Sequence, residues 1–279
     1  MGNTIDFSKM RDVADRGIRR AAAFVGLGVN ASRDCQFKKY QLSEYASFRV
    51  LPDNLSNKSI AHIKEEFEKW VIVNGIRELV ESFGLFLDNV HASCLALSIN
   101  KKLMSIADAK RVGADFERKG VEDKLNKLNK RFAIKSKNAK YFSSMNQARN
   151  CITHRKGIVG PEDLKGEKCF KLIWWGFDIY AQTKNGERHS LLPPFPEGGI
   201  FLPEGGSIMI GIKDRIIEYK LGDSISLTPN ELSEISLLVK LTTDDIVKSA
   251  YDYAKRIGVK IVMSESFEAN NTNSNTVTD

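Results

Sequence analysis

The stretch "NQARNCITHRKGIVG", residues 146–160, gathers Arg149, Asn150, Thr153, His154, Arg155 and Lys156 within about two helical turns. Histidine trades a proton readily near neutral pH, and arginine presents a planar fork that fits phosphate, so this set suits proton transfer beside a phosphate group. In a helix over 142–155, Asn150 and His154 are four apart and share a face, as do Arg149 and Thr153. Arg149 and His154 are five apart and diverge by roughly 140° around the axis, so they meet on a common target only through arginine's long stem. The arrangement suits gripping something that lies across the helix end, not an internal pair. Gly157 stands where a helix C′ residue is expected, which puts His154, Arg155 and Lys156 in the last turn. The competing reading is two ordinary polar residues on a solvated face. An Arg five residues before a His arises by chance in about one sequence in five of this composition, so context has to carry the case.

The other histidines lack that context. His62 and His91 fall inside a long helical run and read as surface or core polar residues, and His189 follows a hairpin turn without an evident partner. Cys35, Cys94, Cys151 and Cys169 are scattered, with no C-x-x-C pair and no matching His spacing, so neither a disulfide framework nor a structural zinc site is expected. "PEGG" occurs at 196–199 and 203–206 without the Lys-Ser/Thr of a P-loop, which removes that support for nucleotide binding. No metal and no cofactor are expected. Glu81, in "LVESF", is a candidate to orient Arg149 by an ion pair, against a structural role as a lone helix charge. Trp174, Trp175, Phe177 and Tyr180 could stack bases, but alternating aromatics on a strand more often form the core of a sheet.

The net charge of +7 is unevenly spread: residues 101–140 hold thirteen Lys or Arg against five Asp or Glu, and the remainder is close to neutral. Concentrated positive charge attracts polyanions, RNA and DNA first, and Lys124, Lys127, Lys130 and Arg131 are the candidate RNA-binding residues. The alternative is a lysine-rich, solvated helical hairpin. The longest apolar run, "AAAFVGLGV" at 21–29, falls far short of the roughly 20 residues a bilayer crossing needs, and the acidic stretch before it makes a poor signal peptide. A cytoplasmic protein without membrane contact is expected.

These residues need elements to position them. Residues 6–25 read as a helix ending in "GLG", and "LPDNLSN" at 51–57 as a loop. From 59 to 100 apolar residues recur every three or four positions, giving one helix about 60 Å long or two joined at "VNG", residues 73–75. A third helix is expected in the basic segment and a fourth over about 140–155. After Gly157 the texture turns to β-branched and aromatic runs between the turns "KNG", "PEGG" and "KDR", read as four or five short strands within about 168–226. Thr228, Pro229 and Glu231 mark the start of a closing amphipathic helix, with the 59–100 helix as its partner. The fold class is mainly α with a β insertion, α+β: a helical bundle carrying a small antiparallel sheet before its last helix. The chain divides into an N-terminal helical segment and loop (1–57), the bundle with its insertion (58–263) and a polar tail (264–279) read as disordered.

"ARNCITHRKGIV" resembles the R-x₄₋₆-H signature of the HEPN superfamily of helical bundles, including the form with Asn directly after Arg. The preceding "IRELVESFGLFLDNVHASCLAL" helix, the Gly after the motif and "GDSISLTPNELSEISLLVKL" leading a terminal helix are similar to bacterial members with a β-rich insertion. The likeness covers about residues 59–258. It implies a homodimer in which two motifs face each other and, in active members, a metal-independent ribonuclease. On that resemblance His154 of each copy is base or acid, Arg149 stabilises charge on the phosphoryl oxygens and Asn150 orients phosphate or histidine, with Glu81, Thr153, Arg155 and Lys156 as supporting candidates. It further implies a toxin or anti-phage defence effector with an antitoxin or defence-system partner. The alternatives are a non-catalytic RNA-binding or regulatory module using residues 101–140, and a structural subunit whose β insertion contacts a protein.

Overall fold

The computed structural model describes residues 5–36, 55–192 and 198–260. The expected disordered tail, the loop at 51–54 and the first "PEGG" up to residue 197 lie outside them. Two N-terminal helices, α1 (Phe7–Met10) and α2 (Asp12–Arg33), lead to α3 (Asn57–Asn100). The latter is one unbroken helix of 44 residues. Ser56 caps it, its Oγ accepting the Ser59 amide at 3.1 Å.

Of the two alternatives for residues 59–100 the single helix holds, and the break expected at "GLG" is corrected, for the same reason. Gly75 does not split α3; a Cβ there would lie 2.6 Å from Leu232 Cδ2, so the glycine marks where another helix crosses. The "GLG" motif does not end α2, because a Cβ at Gly28 would lie 2.8 Å from Val71 of α3. Glycine costs helix propensity at such places and permits close backbone approach in return. α2, which the resemblance does not cover, thus packs along α3, and its Val25 and Val29 share one core with Phe83, Phe86 and Leu87.

The single third helix is also corrected. The basic segment forms α4 (Ile106–Glu117) and α5 (Val121–Phe132), started separately by the Ser105 hydroxyl cap and by Gly120. A 3₁₀ turn (Ala139–Tyr141) then leads into α6 (Phe142–Arg155), followed by the short α7 (Pro161–Leu164).

Among the described residues three strands, two of them long, stand where four or five short ones are expected. They are β1 (Phe170–Thr183), β2 (Arg188–Ser190) and β3 (Gly206–Tyr219), antiparallel in the order β2-β1-β3. "KDR" at 213–215 is ladder, not turn. Its charges are satisfied in place: Asp214 accepts from the Tyr141 hydroxyl at 2.6 Å, and Arg215 donates to the Phe177 carbonyl at 2.7 Å. Trp174 and Trp175 are buried, the former donating its indole N–H to Glu234 at 2.8 Å, so neither offers a stacking surface. The closing helix α8 (Pro229–Arg256) opens on the expected capping box between Thr228 and Glu231. The fold is α+β, a mainly helical body with a small antiparallel sheet before the last helix.

Length and composition alone qualify α3 to cross a membrane, contrary to the reading of short apolar runs. Half of the qualifying stretch is buried inside the protein, as a central core helix requires.

Close approach at Gly17 gives a paired test. A Cβ there would lie 2.2 Å from Ser82 Cβ, whereas a Cβ at Gly26 meets nothing within 4 Å. Gly17→Ala is expected to destabilise the protein by about 1–3 kcal/mol and Gly26→Ala to stabilise it by about 0.5–1 kcal/mol, measured by denaturant unfolding.

Candidate active site

α6 is seated on α3 by apolar contact: Phe142 stacks on Phe83 with ring centroids 4.3 Å apart. Met145, Ala148, Cys151 and Ile152 are buried behind it. That leaves Arg149 and Asn150 half-buried and Thr153 and His154 exposed. Arg149 donates from Nη1 to Asn150 Oδ1 at 2.9 Å, and its Nε lies 3.4 Å from Glu81 Oε1 on α3. The latter is an ion-pair distance without hydrogen-bond alignment, and Nε is left buried with no hydrogen bond. Arg149, Asn150 and Glu81 therefore form one cluster. His154 stands one turn beyond Asn150 on the same face of α6, with no hydrogen bond or ion pair among the described residues.

The end of α6 is fixed by the residues that follow. The Lys156 and Gly157 amides both donate to the Cys151 carbonyl, and both residues take positive φ, 53° and 82°. Gly157 thus occupies the expected C′ position. Ile225 donates to the Gly157 carbonyl at 2.8 Å and Val159 to the Asp223 carbonyl at 2.9 Å, tying the helix end to the segment that leads into α8.

Arg155 is withdrawn from the supporting set. Its Nε donates to Asp163 Oδ2 at 2.9 Å and its Nη2 to Oδ1, while the Gly160 amide donates to Oδ2 at 2.9 Å. Burial opposes the charge of Asp163, but Arg155 and the Gly160 amide outweigh it and hold the carboxyl below its ordinary range. Bidentate pairing of this kind fixes geometry. Burial pushes the neighbouring Cys151 thiol up to about 11, so it is no nucleophile at neutral pH. Lys156 is exposed beside His154 in sequence.

Lys124 is likewise withdrawn from the RNA-binding set. It is buried between α5 and α3, donating to Asp88 at 2.7 Å and to the Gly84 carbonyl at 3.4 Å. Burial raises the Asp88 carboxyl above its ordinary range despite this partner. Lys127 is half-exposed and paired with Asp115. Lys130 and Arg131 remain exposed. His91 is a core residue, stacked on Phe116 at 3.8 Å and depressed to about 4 by burial, with nearby cations adding to the effect. Among the described residues no three His, Cys, Asp or Glu side chains converge as a metal site.

One feature beside the motif escaped the sequence reading. Trp70, Asn74, Arg77, Glu81 and Leu85 recur at helical spacing along one side of α3. Trp70 and Leu85 are 63% and 59% exposed, and Arg77 is exposed between them. Phe67 stacks on Trp70 at 6.4 Å. This apolar-ended stripe includes the carboxylate that Arg149 approaches. Periodicity finds it, but a 44-residue helix has apolar residues on every side, and which side lies open depends on where α2, α6 and α8 pack.

Comparison with protein-family models, curated proteins and solved structures finds no match in any of the three.

Removing the Asp163 charge tests what fixes the helix end. Asp163→Asn leaves Arg155 unpaired and is expected to cost about 3 kcal/mol at neutral pH. Because the folded-state pKa is depressed, this contribution is fully present above the unfolded carboxylate value near 3.9 and is lost as pH falls through the folded value. Unfolding free energies of wild type and variant should therefore converge in acid; a constant gap would assign the loss to packing.

Proposed function

We propose that this chain is a metal-independent endoribonuclease of the HEPN type, acting as a homodimer in the cytoplasm. The observation that carries the reading is the unpartnered, exposed His154 one turn beyond the Arg149–Asn150–Glu81 cluster, at a rigid helix end beside the open stripe of α3. The resemblance of "RNCITH" to the R-x₄₋₆-H signature supplies the family and the prior for RNA. The Trp70 to Leu85 stripe supports a second copy as its cover, since an exposed apolar patch rimmed by polar residues is what association buries.

The chemistry follows from one motif imidazole, His154, per chain. A ribose 2′-hydroxyl attacks the adjacent phosphorus, the P–O5′ bond breaks, one imidazole takes the hydroxyl proton and another protonates the departing 5′-oxygen. Twofold association supplies the second imidazole. Arg149 stabilises charge on the non-bridging oxygens, with Asn150 and Glu81 holding its guanidinium in place. The products are a 2′,3′-cyclic phosphate and a 5′-hydroxyl. On the same resemblance the biological role is that of a toxin or defence effector restrained by a partner protein.

A binding-only module is the second reading, favoured by exposed Lys130 and Arg131 within the basic segment. It predicts salt-dependent RNA binding without cutting, and a salt slope about two units shallower when both are neutralised.

Purified protein in EDTA is expected to cut single-stranded RNA. His154→Ala and Arg149→Ala should each slow cutting by at least about 100-fold with helical circular dichroism unchanged, and Trp70→Arg should lower both mass and cutting. Retained cutting by His154→Ala overturns the assignment; binding without cutting by wild type favours the second reading.

A further inference from the structure

Among the described residues β3 carries a continuous run of exposed apolar side chains. Ile208, Ile210 and Ile212 are 72%, 68% and 65% exposed, and they alternate along one face of the strand. Across the ladder they stand opposite Ala181, Ile179 and Phe177 of β1. The inner end of this hairpin is anchored to the body: Ser144 exchanges hydrogen bonds with Ile173, and Tyr141 and Lys140 hold Asp214. Beyond Lys213 the strand carries no charge as far as Gly206.

β3 is also an edge strand, and among the described residues no strand pairs with its outer side. The phase of its open backbone groups can be read from the ladder. Leu191 donates to the Ile179 carbonyl at 2.8 Å, so the odd residues of β1 bond toward β2 and the even ones toward β3. By the register, the odd residues of β3 bond to β1. Its even residues, Ile208, Ile210 and Ile212 among them, therefore turn N–H and C=O to the open edge. The same three residues thus present unpaired backbone and exposed isoleucine together. Natural sheets protect such edges with charge, proline or a cover.

We infer that the open edge of β3 pairs antiparallel with the same edge of a second copy of this chain, about a twofold axis at Ile210. In that register Ile210 faces its own copy and Ile208 faces Ile212. All are hydrogen-bonding positions, so backbone phase and side-chain match agree. Charge selects the same register. Lys213 and Asp214 fall opposite Ser207 and Gly206, whereas a shift of two residues sets Asp214 against Ile208, and centring on Lys213 or Asp214 sets like charges face to face. The stripe is complementary to itself, which is what a twofold interface requires and what an unrelated strand need not provide. This surface is separate from the α3 stripe and does not rest on the ribonuclease reading. A chain using both builds an assembly larger than a dimer.

The test is the solution mass of the full chain at micromolar concentration, by light scattering, for wild type, Ile208→Lys/Ile212→Lys and Ile210→Pro. The double lysine variant keeps every backbone donor, and the proline removes one outward N–H and no donor of the β1–β3 ladder. Wild type should have at least twice the mass of either variant, with circular dichroism and any RNA cutting retained. In a second arm, with the free Cys35 and Cys169 replaced by serine and copper phenanthroline in air as the oxidant, Ile210→Cys should form a covalent dimer, because hydrogen-bonded pairs about 5.5 Å apart at Cα lie within disulfide reach. Ile216→Cys, equally on the open edge but six positions from the axis, should not. Equal masses for wild type and the double lysine variant overturn the inference, as does cross-linking of both cysteines alike. Halved mass in a protein that never cuts RNA leaves this inference standing and removes the ribonuclease.

Discussion

Burial of α3 against five other helices is the constraint on which the remaining structure depends. Each meets it at a defined point: α2 where Gly17 and Gly28 admit Ser82 and Val71, α8 where Gly75 admits Leu232, α6 where Phe83 stacks on Phe142, α4 where Phe116 stacks on His91, and α5 where Lys124 pairs with Asp88. These neighbours do not cover every side of a rod of about 66 Å. The side left between them is the stripe from Trp70 to Leu85. The motif helix borders that opening because Arg149, projecting from α6, reaches Glu81.

The end of α6 shows how neighbouring cations divide between structure and chemistry. Arg155 is clamped by a buried carboxylate, Lys124 is sealed against Asp88, and Arg149 is held by Asn150 beside Glu81. The histidines divide in the same way. His91 fills the core as a neutral ring on Phe116, while His154 is exposed with its imidazole uncommitted. A side chain fixed in a salt bridge supplies geometry; one left free at a fixed helix end can exchange a proton with a ligand. The structure positions His154 without engaging it, and the proposed chemistry needs both conditions.

Much of this was legible in the sequence. Apolar periodicity found α3 and α8, Thr228 to Glu231 found the start of α8, and the cation-rich helix end with Gly157 after it found α6 and its termination. Glycine left the helix at Gly75 undecided and misplaced the end of α2 at Gly28, because spacing does not distinguish a break from a close crossing. Charge misled as well: Asp214 and Arg215 read as a turn because the Tyr141 hydroxyl that Asp214 accepts from and the Glu234 carboxylate 3.6 Å from Arg215 are distant in the chain. Lys124 looked like an RNA contact because Asp88, its buried partner, lies on another helix. Long-range partners decide whether a charged residue is surface, core or ladder, and a local pattern does not contain them.

The central claim is that two copies of His154 act on one phosphodiester, and mixed dimers test it most directly. Differently tagged wild-type and His154→Ala chains, both carrying Ile208→Lys and Ile212→Lys so that only the α3 contact remains, co-expressed and purified through both tags in turn, give dimers with one His154 per site. If each cut needs a base and an acid from separate copies, the mixed dimer should cut RNA at least about 100-fold more slowly than wild type. A mixed dimer that keeps half of the wild-type rate would show that each copy works alone and would contradict the account.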